Sequence, residues 1–201
     1  MTTSRFPTDP SLVPAGQYFA MSVFTGYPLS RGSIHISGPE IDDKPKLVTG
    51  FLSDPQGVDL KKHVWGYKKH REIMRRMETY RGEVAMLHPP FAPDSGAAPV
   101  QLNDKLPSDV TDLVYTPEDD KVLEDYIRAN VGTTWHSLGT CKMGPREEGG
   151  VVDDSLSVYG VEGLKVVDLS IPPRNVAANT MNTAVAIAEK AADTIVKELG
   201  W

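Results

Sequence analysis

Cysteine is almost missing from this chain: of 201 residues, Cys141 is the only thiol. An intrachain disulfide is therefore excluded, and a reducing compartment is the simplest setting. No second cysteine or spaced histidine pair accompanies it, so no metal site is expected, and a free thiol in a buried turn is the simplest role for Cys141. Long apolar runs are missing too. No stretch approaches the ~18 residues of a membrane span, and Met1–Arg5 has no apolar signal core. The ending Leu199-Gly200-Trp201 is not a peroxisomal tripeptide of the Ser-Lys-Leu kind. The expectation is a cytoplasmic or other intracellular location with no membrane partner. An excess of positive charge is absent: the net charge of -6 argues against nucleic acid as a partner, because phosphate binding relies on clustered cations. No Gly-x-Gly occurs anywhere, hence no Gly-x-Gly-x-x-Gly between a strand and a helix. Internal repeats and low-complexity tracts are absent as well.

What is present suits one domain, or one and a half, with 40% apolar residues to build a core. Residues 1–16, punctuated by Pro7, Pro10, Pro14 and Gly16, read as an extended lead-in. Strands are expected over Tyr18–Val23, Gly32–Gly38 and Lys46–Leu52, with Ile34 and Ile36 on one face of the second. After the turn Asp54-Pro55-Gln56-Gly57, Asp59 is placed to cap a helix running to about Tyr80. Leu60, Val64, Tyr67, Met74 and Met77 fall near one face of it. Its cations, Lys61, Lys62, Lys68, Lys69, Arg71, Arg75 and Arg76, read as a solvated outer face, with a docking surface for an acidic segment as the alternative. Residues 88–109 hold Pro89, Pro90, Pro93, Pro99 and Pro107 and form a long loop. Thr116-Pro117-Glu118-Asp119 opens a second helix with a cap, a first-turn proline and acids on the positive end; Val122, Leu123, Tyr126 and Ile127 are its core face. Leu164–Leu169 reads as a short strand. A final helix over about 182–199 has a stripe of Ala184, Ala188, Ala191, Ile195 and Leu199. The fold class is α+β, with an antiparallel-sheet portion and helices over 17–130 and a C-terminal strand-and-helix segment over 131–201.

Chemistry concentrates late in the chain. Histidine as a residue type can take up a proton near neutral pH, which makes His136 a candidate base. Gly132, Gly139 and Gly144 around it let backbone approach a ligand closely, and Trp135 is placed to wall a small pocket. Asn179 offers both a donor and an acceptor just before a helix, where capping is its simplest use.

His136 with Gly139-Thr140-Cys141, then Lys165-Val166-Val167-Asp168, then Asn179-Thr180-Met181-Asn182 leading into Ala188-Glu189-Lys190-Ala191-Ala192-Asp193, resembles the C-terminal signature of the glucose–methanol–choline oxidoreductases. Tyr27–Ile34 and Phe51–Asp54 resemble the same family. Thr133–His136 and Ile171–Asn179 look most like its fungal and yeast alcohol (methanol) oxidases. The resemblance runs from about Tyr18 to Trp201 and corresponds to roughly the last third of a family member. It implies the later part of a substrate domain followed by the closing strand and helix of a flavin domain. It implies His136 as active-site base with Asn179 as its partner, Asp168 and Leu169 near the ribityl and diphosphate of FAD, and Thr180 and Met181 near the flavin ring. Lys142 departs from the arginine more usual in the family. The function implied is oxidation of a primary alcohol to an aldehyde, with hydride passing to FAD and oxygen reduced to peroxide. Because the glycine-rich cradle is missing, flavin binding is expected to need an N-terminal FAD-binding part, whether this chain is a fragment, a split gene product or one subunit; the partners to consider are a chain that supplies that part and a homo-oligomer. Two alternatives stand beside this one: a truncated relative without redox activity, binding a small ligand, doing non-redox acid/base chemistry or serving as an interaction module, and an α+β scaffold in which His136 is structural.

Overall fold

The computed structural model describes residue 11 and residues 13–201. Positions 1–10 and 12 of the expected lead-in lie outside the described residues. The chain is α+β: an antiparallel pair of short strands, β1 (Ser33–His35) and β2 (Lys46–Val48), and three α-helices, α1 (Val58–Arg75), α2 (Pro117–Asn130) and α3 (Met181–Glu198). It divides into two units, one holding residues up to Thr25 and Phe51–Gly132, the other Gly26–Gly50 and Thr133–Trp201.

In the first unit, α1 begins where Asp54, not Asp59, satisfies its free amides. The Asp54 carboxylate accepts the N–H of Val58 at 2.6 Å and of Asp59 at 3.2 Å. Gly57, at φ 62°, turns the chain so that a residue ahead of the helix can reach its first turn. Asp59 is buried inside that turn and pairs with Lys62 at 3.2 Å. The helix stops at Arg75 rather than Tyr80. The amides of Arg76, Met77 and Tyr80 each bond three residues back, which tightens the chain into turns. Met74 and Met77, expected on the core face, are consequently only half-buried. The core is Leu60, Phe91, Ala97, Leu123 and Ile127; full burial is worth about 1.5–3 kcal/mol for each large aliphatic side chain. α2 opens on a reciprocal cap: Thr116 Oγ1 accepts the Asp119 N–H at 3.2 Å, and Asp119 Oδ2 accepts the Thr116 N–H at 2.9 Å.

The basic face of α1 is not simply solvated. Arg71, 4% exposed, lies in the interior. Its guanidinium forks onto the Glu83 carboxylate at 2.7 and 2.5 Å and donates to the Ala97 carbonyl at 2.8 Å and the Tyr115 hydroxyl at 3.0 Å. The rings of Tyr67, Phe91 and Tyr115 surround it within 6 Å. One cation thereby fastens the proline-rich loop to the helix through the Ala97 carbonyl. Lys62, Lys68, Lys69 and Arg76 pair with Asp59, Asp120, Glu72 and Asp112 of the same unit, so these four meet acids from within rather than an acidic partner.

The expected strand over Tyr18–Val23 does not form; only Phe24 beside it holds a bridge. A strand needs a continuous neighbour, and alternation alone does not supply one.

In the second unit, β1 and β2 pair Ser33 with Val48, Ile34 with Leu47 and His35 with Lys46. Both strands are shorter than the alternation predicts, and Ile36 falls beyond the pairing and is exposed. Gly50, at φ 62°, closes this ribbon where a Cβ would sit 1.9 Å from the Arg31 carbonyl oxygen. Leu164–Leu169 is not a regular strand: it bends at Asp168, turns at Leu169 and changes neighbours along its length. Val166 donates to Leu156, the Leu164 carbonyl accepts from Val158, and the Leu169 carbonyl accepts from Gly139. Only the bridge of Lys165 to Ser157 survives as regular pairing. The core here is Val152, Leu156, Ile171 and Ala191. α3 buries a narrower stripe than expected: Ala191 is buried, Ala184, Ile187 and Ile195 are half-buried, and Ala188 and Leu199 face outward.

Candidate active site

The site is assembled by irregular backbone in the second unit. The hydroxyl of Thr133 accepts the Trp135 N–H at 2.9 Å, and Trp135 adopts φ 61°. That left-handed turn is uncommon for a bulky residue and sits immediately before His136. Gly139, at φ 84°, follows, where a Cβ would come within 3.0 Å of the Pro172 carbonyl. Its N–H donates to Leu169, that of Cys141 to Ser170, and that of Met143 to Ile171, at 2.8–3.0 Å. The histidine segment is thus laid along residues 169–171. Beyond Pro172-Pro173, the Asn175 side chain accepts the N–H of Ala177, itself at φ 56°, and the chain turns into α3.

This path brings His136, Asn179 and Thr180 together. His136 Nδ1 lies 3.1 Å from Thr180 Oγ1, and Nε2 lies 3.3 Å from Asn179 Nδ2. Asn179 Oδ1 also accepts the Met181 N–H at 3.0 Å. The cap role and the histidine contact, read from sequence as alternatives, are therefore held by the two ends of one amide. That arrangement bears on where the protons lie. With Oδ1 committed to a backbone donor, Nδ2 is the end that faces the histidine, and an amide nitrogen only donates. A neutral ring that accepts from this amide at Nε2 carries its proton on Nδ1, on the side of the threonine hydroxyl. His136 presents a lone pair at Nε2 beside an exposed amide, the arrangement of a base next to a hydrogen-bond donor.

The other expected residues lie in a second cluster or apart. Asp168 and Leu169 line an open depression of about 380 Å³ with Ser137, Leu138, Thr140, Val167, Ser170 and Ala184. Hydrogen bonds from Ser170, side chain and backbone, hold the Asp168 carboxyl below its ordinary range. Met181 is exposed and joined to Asn179 only through its backbone, and the Trp135 side chain is 87% exposed. Cys141 is a half-buried free thiol, and Lys142 donates to the Glu148 carbonyl at 2.8 Å. Among the described residues no group of His, Cys, Asp or Glu could hold a metal ion, and no helix is long and apolar enough to cross a membrane. The contact of Thr180 with His136 was not read from sequence. A threonine at a helix start signals a cap, and nothing local says that its hydroxyl turns elsewhere.

The α+β fold and a histidine–asparagine pair set on loops define a class that the comparisons narrow. The C-terminal profile described as GMC oxidoreductase matches residues 28–188. The chain is 39% identical to alcohol oxidase 1 of Komagataella phaffii over 237 aligned positions, covering 96% of this chain and 35% of the relative. Among solved structures, an FAD-dependent oxidoreductase from Chaetomium thermophilum matches with a TM-score of 0.65 at 29% identity, covering 86% of this chain and 25% of that one. A fungal aryl-alcohol oxidase matches with a TM-score of 0.61 at 28% identity, covering 88% and 25%. The chain belongs to the GMC oxidoreductase family and spans about a third of the length of the curated alcohol oxidases it matches. The 237 aligned positions exceed the 201 residues available, so the relative carries segments within this span that the chain does not.

Proposed function

We propose that this chain is the C-terminal, base-bearing portion of a flavin-dependent alcohol oxidase. The observation that carries the proposal is the meeting of His136 Nε2 with the Asn179 amide at 3.3 Å, with the amide's direction set by the Met181 N–H. A primary alcohol that takes up this contact donates its hydroxyl proton to Nε2 and accepts an N–H from Asn179. His136 removes the proton, and Asn179 steadies the negative charge that grows on the oxygen. Similarity to the yeast alcohol oxidases supports an alcohol as the substrate class.

The residues present fit one wall of a flavin site. The amides at the start of α3 have no acceptor within the helix and favour negative charge, and the depression beside them is mainly apolar with one carboxylate, Asp168, at its edge. We assign Asp168 and Leu169 to the dinucleotide side and Met181 to the ring side. A flavin held there would supply the hydride acceptor for the carbinol carbon and the route of its electrons to oxygen, giving peroxide. With no Gly-x-Gly-x-x-Gly turn in the sequence, we assign the other wall to residues outside it.

The test is a chimera in which this chain replaces the matching part of the Komagataella phaffii oxidase. Expected are a flavin absorption spectrum, bleaching by a primary alcohol without oxygen, and peroxide formation with it. A flavin-loaded chimera that no alcohol bleaches, or one that His136→Ala leaves equally active, overturns the proposal.

A further inference from the structure

We propose that Thr180 is a positioning residue that holds His136 in its Nδ1–H tautomer, so that the lone pair stands at Nε2. The catalytic consequence rests on the alcohol-oxidase reading above; the tautomer itself does not.

Thr180 stands at the N-cap of α3 but does not cap it. A capping threonine adopts extended dihedrals, which aim its hydroxyl at the amides of the first turn. Thr180 has helical dihedrals, φ -85° and ψ -3°, and its side chain makes no cap hydrogen bond. The capping duty passes to its neighbour, whose Oδ1 takes the Met181 N–H. The Thr180 hydroxyl is thereby free for another use, in a side chain only 4% exposed, where an unmade hydrogen bond is costly. It faces His136 Nδ1 at 3.1 Å.

Two successive residues thus grip the two nitrogens of one imidazole from a distance of 43 and 44 residues along the chain. The two contacts fit one protonation pattern. The Asn179 amide donates, so Nε2 must be bare; a bare Nε2 in a neutral ring leaves the proton on Nδ1; and the threonine oxygen receives it. A ring flipped about its long axis would set carbon atoms against both groups, so the pair also fixes the ring's orientation. Deleting the hydroxyl while keeping the shape leaves a buried Nδ1–H without its acceptor, so that the Asn179 amide alone still favours this tautomer. Part of the population then carries its proton on Nε2, where it faces a donor and closes the base.

The experiment compares the full chain with its Thr180→Val and Thr180→Ser forms, labelled with ¹⁵N-histidine, His136 being assigned by loss of its signals in His136→Gln. Long-range proton–nitrogen correlation above the titration range reads the tautomer directly. The native chain and Thr180→Ser are expected to show a protonated Nδ1 and a bare Nε2, and Thr180→Val a shift toward Nε2–H. A merely structural threonine would not move this signature while the amide spectrum stays dispersed. In the chimera, Thr180→Val is expected to lower kcat about tenfold, the scale of one lost hydrogen bond, with KM nearly constant and with Thr180→Ser restoring the rate. A native His136 protonated at Nε2, or a tautomer that Thr180→Val leaves unchanged, overturns the inference whatever the chimera does. An inactive chimera with the expected tautomer shift supports the tautomer assignment and counts against the oxidase reading alone.

Discussion

Each unit of this molecule holds a histidine whose Nδ1 meets a hydroxyl, and the two settings are opposite in purpose. In the first unit Tyr67 Oη lies 2.7 Å from His88 Nδ1, with the two rings edge to face. Burial pushes the proton affinity of His88 down, and Tyr67 on its other side flanks the buried Arg71. Polar groups there complete a core and tie down a loop. In the second unit the hydroxyl of Thr180 takes one side of His136, and the other side is left to an exposed amide. That unit also contains the left-handed residues Trp135, Leu156 and Ala177, against Leu52 in the first. The lesson is that a hydroxyl on a ring nitrogen does not mark a site; what the other nitrogen faces does. Irregular backbone next to such a ring is what leaves its second nitrogen accessible.

The sharpest way to break this contrast is to remove each centre. His136→Ala in the chimera is expected to lower kcat/KM by roughly 10²–10⁴-fold, the range of a lost general base, with an unchanged circular dichroism spectrum. Arg71→Ala does the reverse. It leaves the Glu83 carboxylate buried without its cation and should cost about 3–5 kcal/mol, read as a lower urea midpoint of the chain. If Arg71→Ala left the midpoint unmoved, the first unit would not depend on its polar centre and the contrast would fail.

Acid sharpens the same comparison. His63 is fully buried, and burial pushes it from an ordinary 6.5 down to about 4. The unfolded chain therefore binds a proton in this window that the folded chain does not. The corresponding stability is complete above about pH 6.5 and is lost as pH falls toward 4, at up to roughly 1.4 kcal/mol per pH unit. Urea midpoints of the native chain and His63→Gln across this range should diverge in slope; parallel slopes would remove His63 from the account. The smallest effect expected is for Thr116→Ala, which opens the cap of α2 and should cost about 1 kcal/mol in the same assay.

Much of the candidate site was legible because its signals are short. His136 within its glycine turn, Asn179 ahead of α3 and the Thr116 cap of α2 are patterns of a few residues whose partners are close or whose family carries them. Misreadings share one cause. The Tyr18–Val23 stretch alternates like a strand but forms none among the described residues, and Leu164–Leu169 divides its hydrogen bonds among separate loops. Arg71 looks like one more cation on a basic face until Glu83, Ala97 and Tyr115 close over it. The small residues of α3 suggest a broad buried stripe, yet burial depends on what lies opposite them, and only Ala191 is fully covered.

Composition, spacing and local motifs were enough to establish the family, the Thr116 start of α2 and the histidine–asparagine pair, because each depends on residues near one another in the chain or on a pattern the family carries. Which acid caps α1, which cation is buried, and that the threonine beside Asn179 serves a ring rather than a helix were decided only in three dimensions. Those choices turn on groups brought together from distant segments, and on backbone dihedrals that local sequence leaves open. His136 is therefore recognisable as a candidate base in one dimension, but the nitrogen that carries its proton is set by the fold.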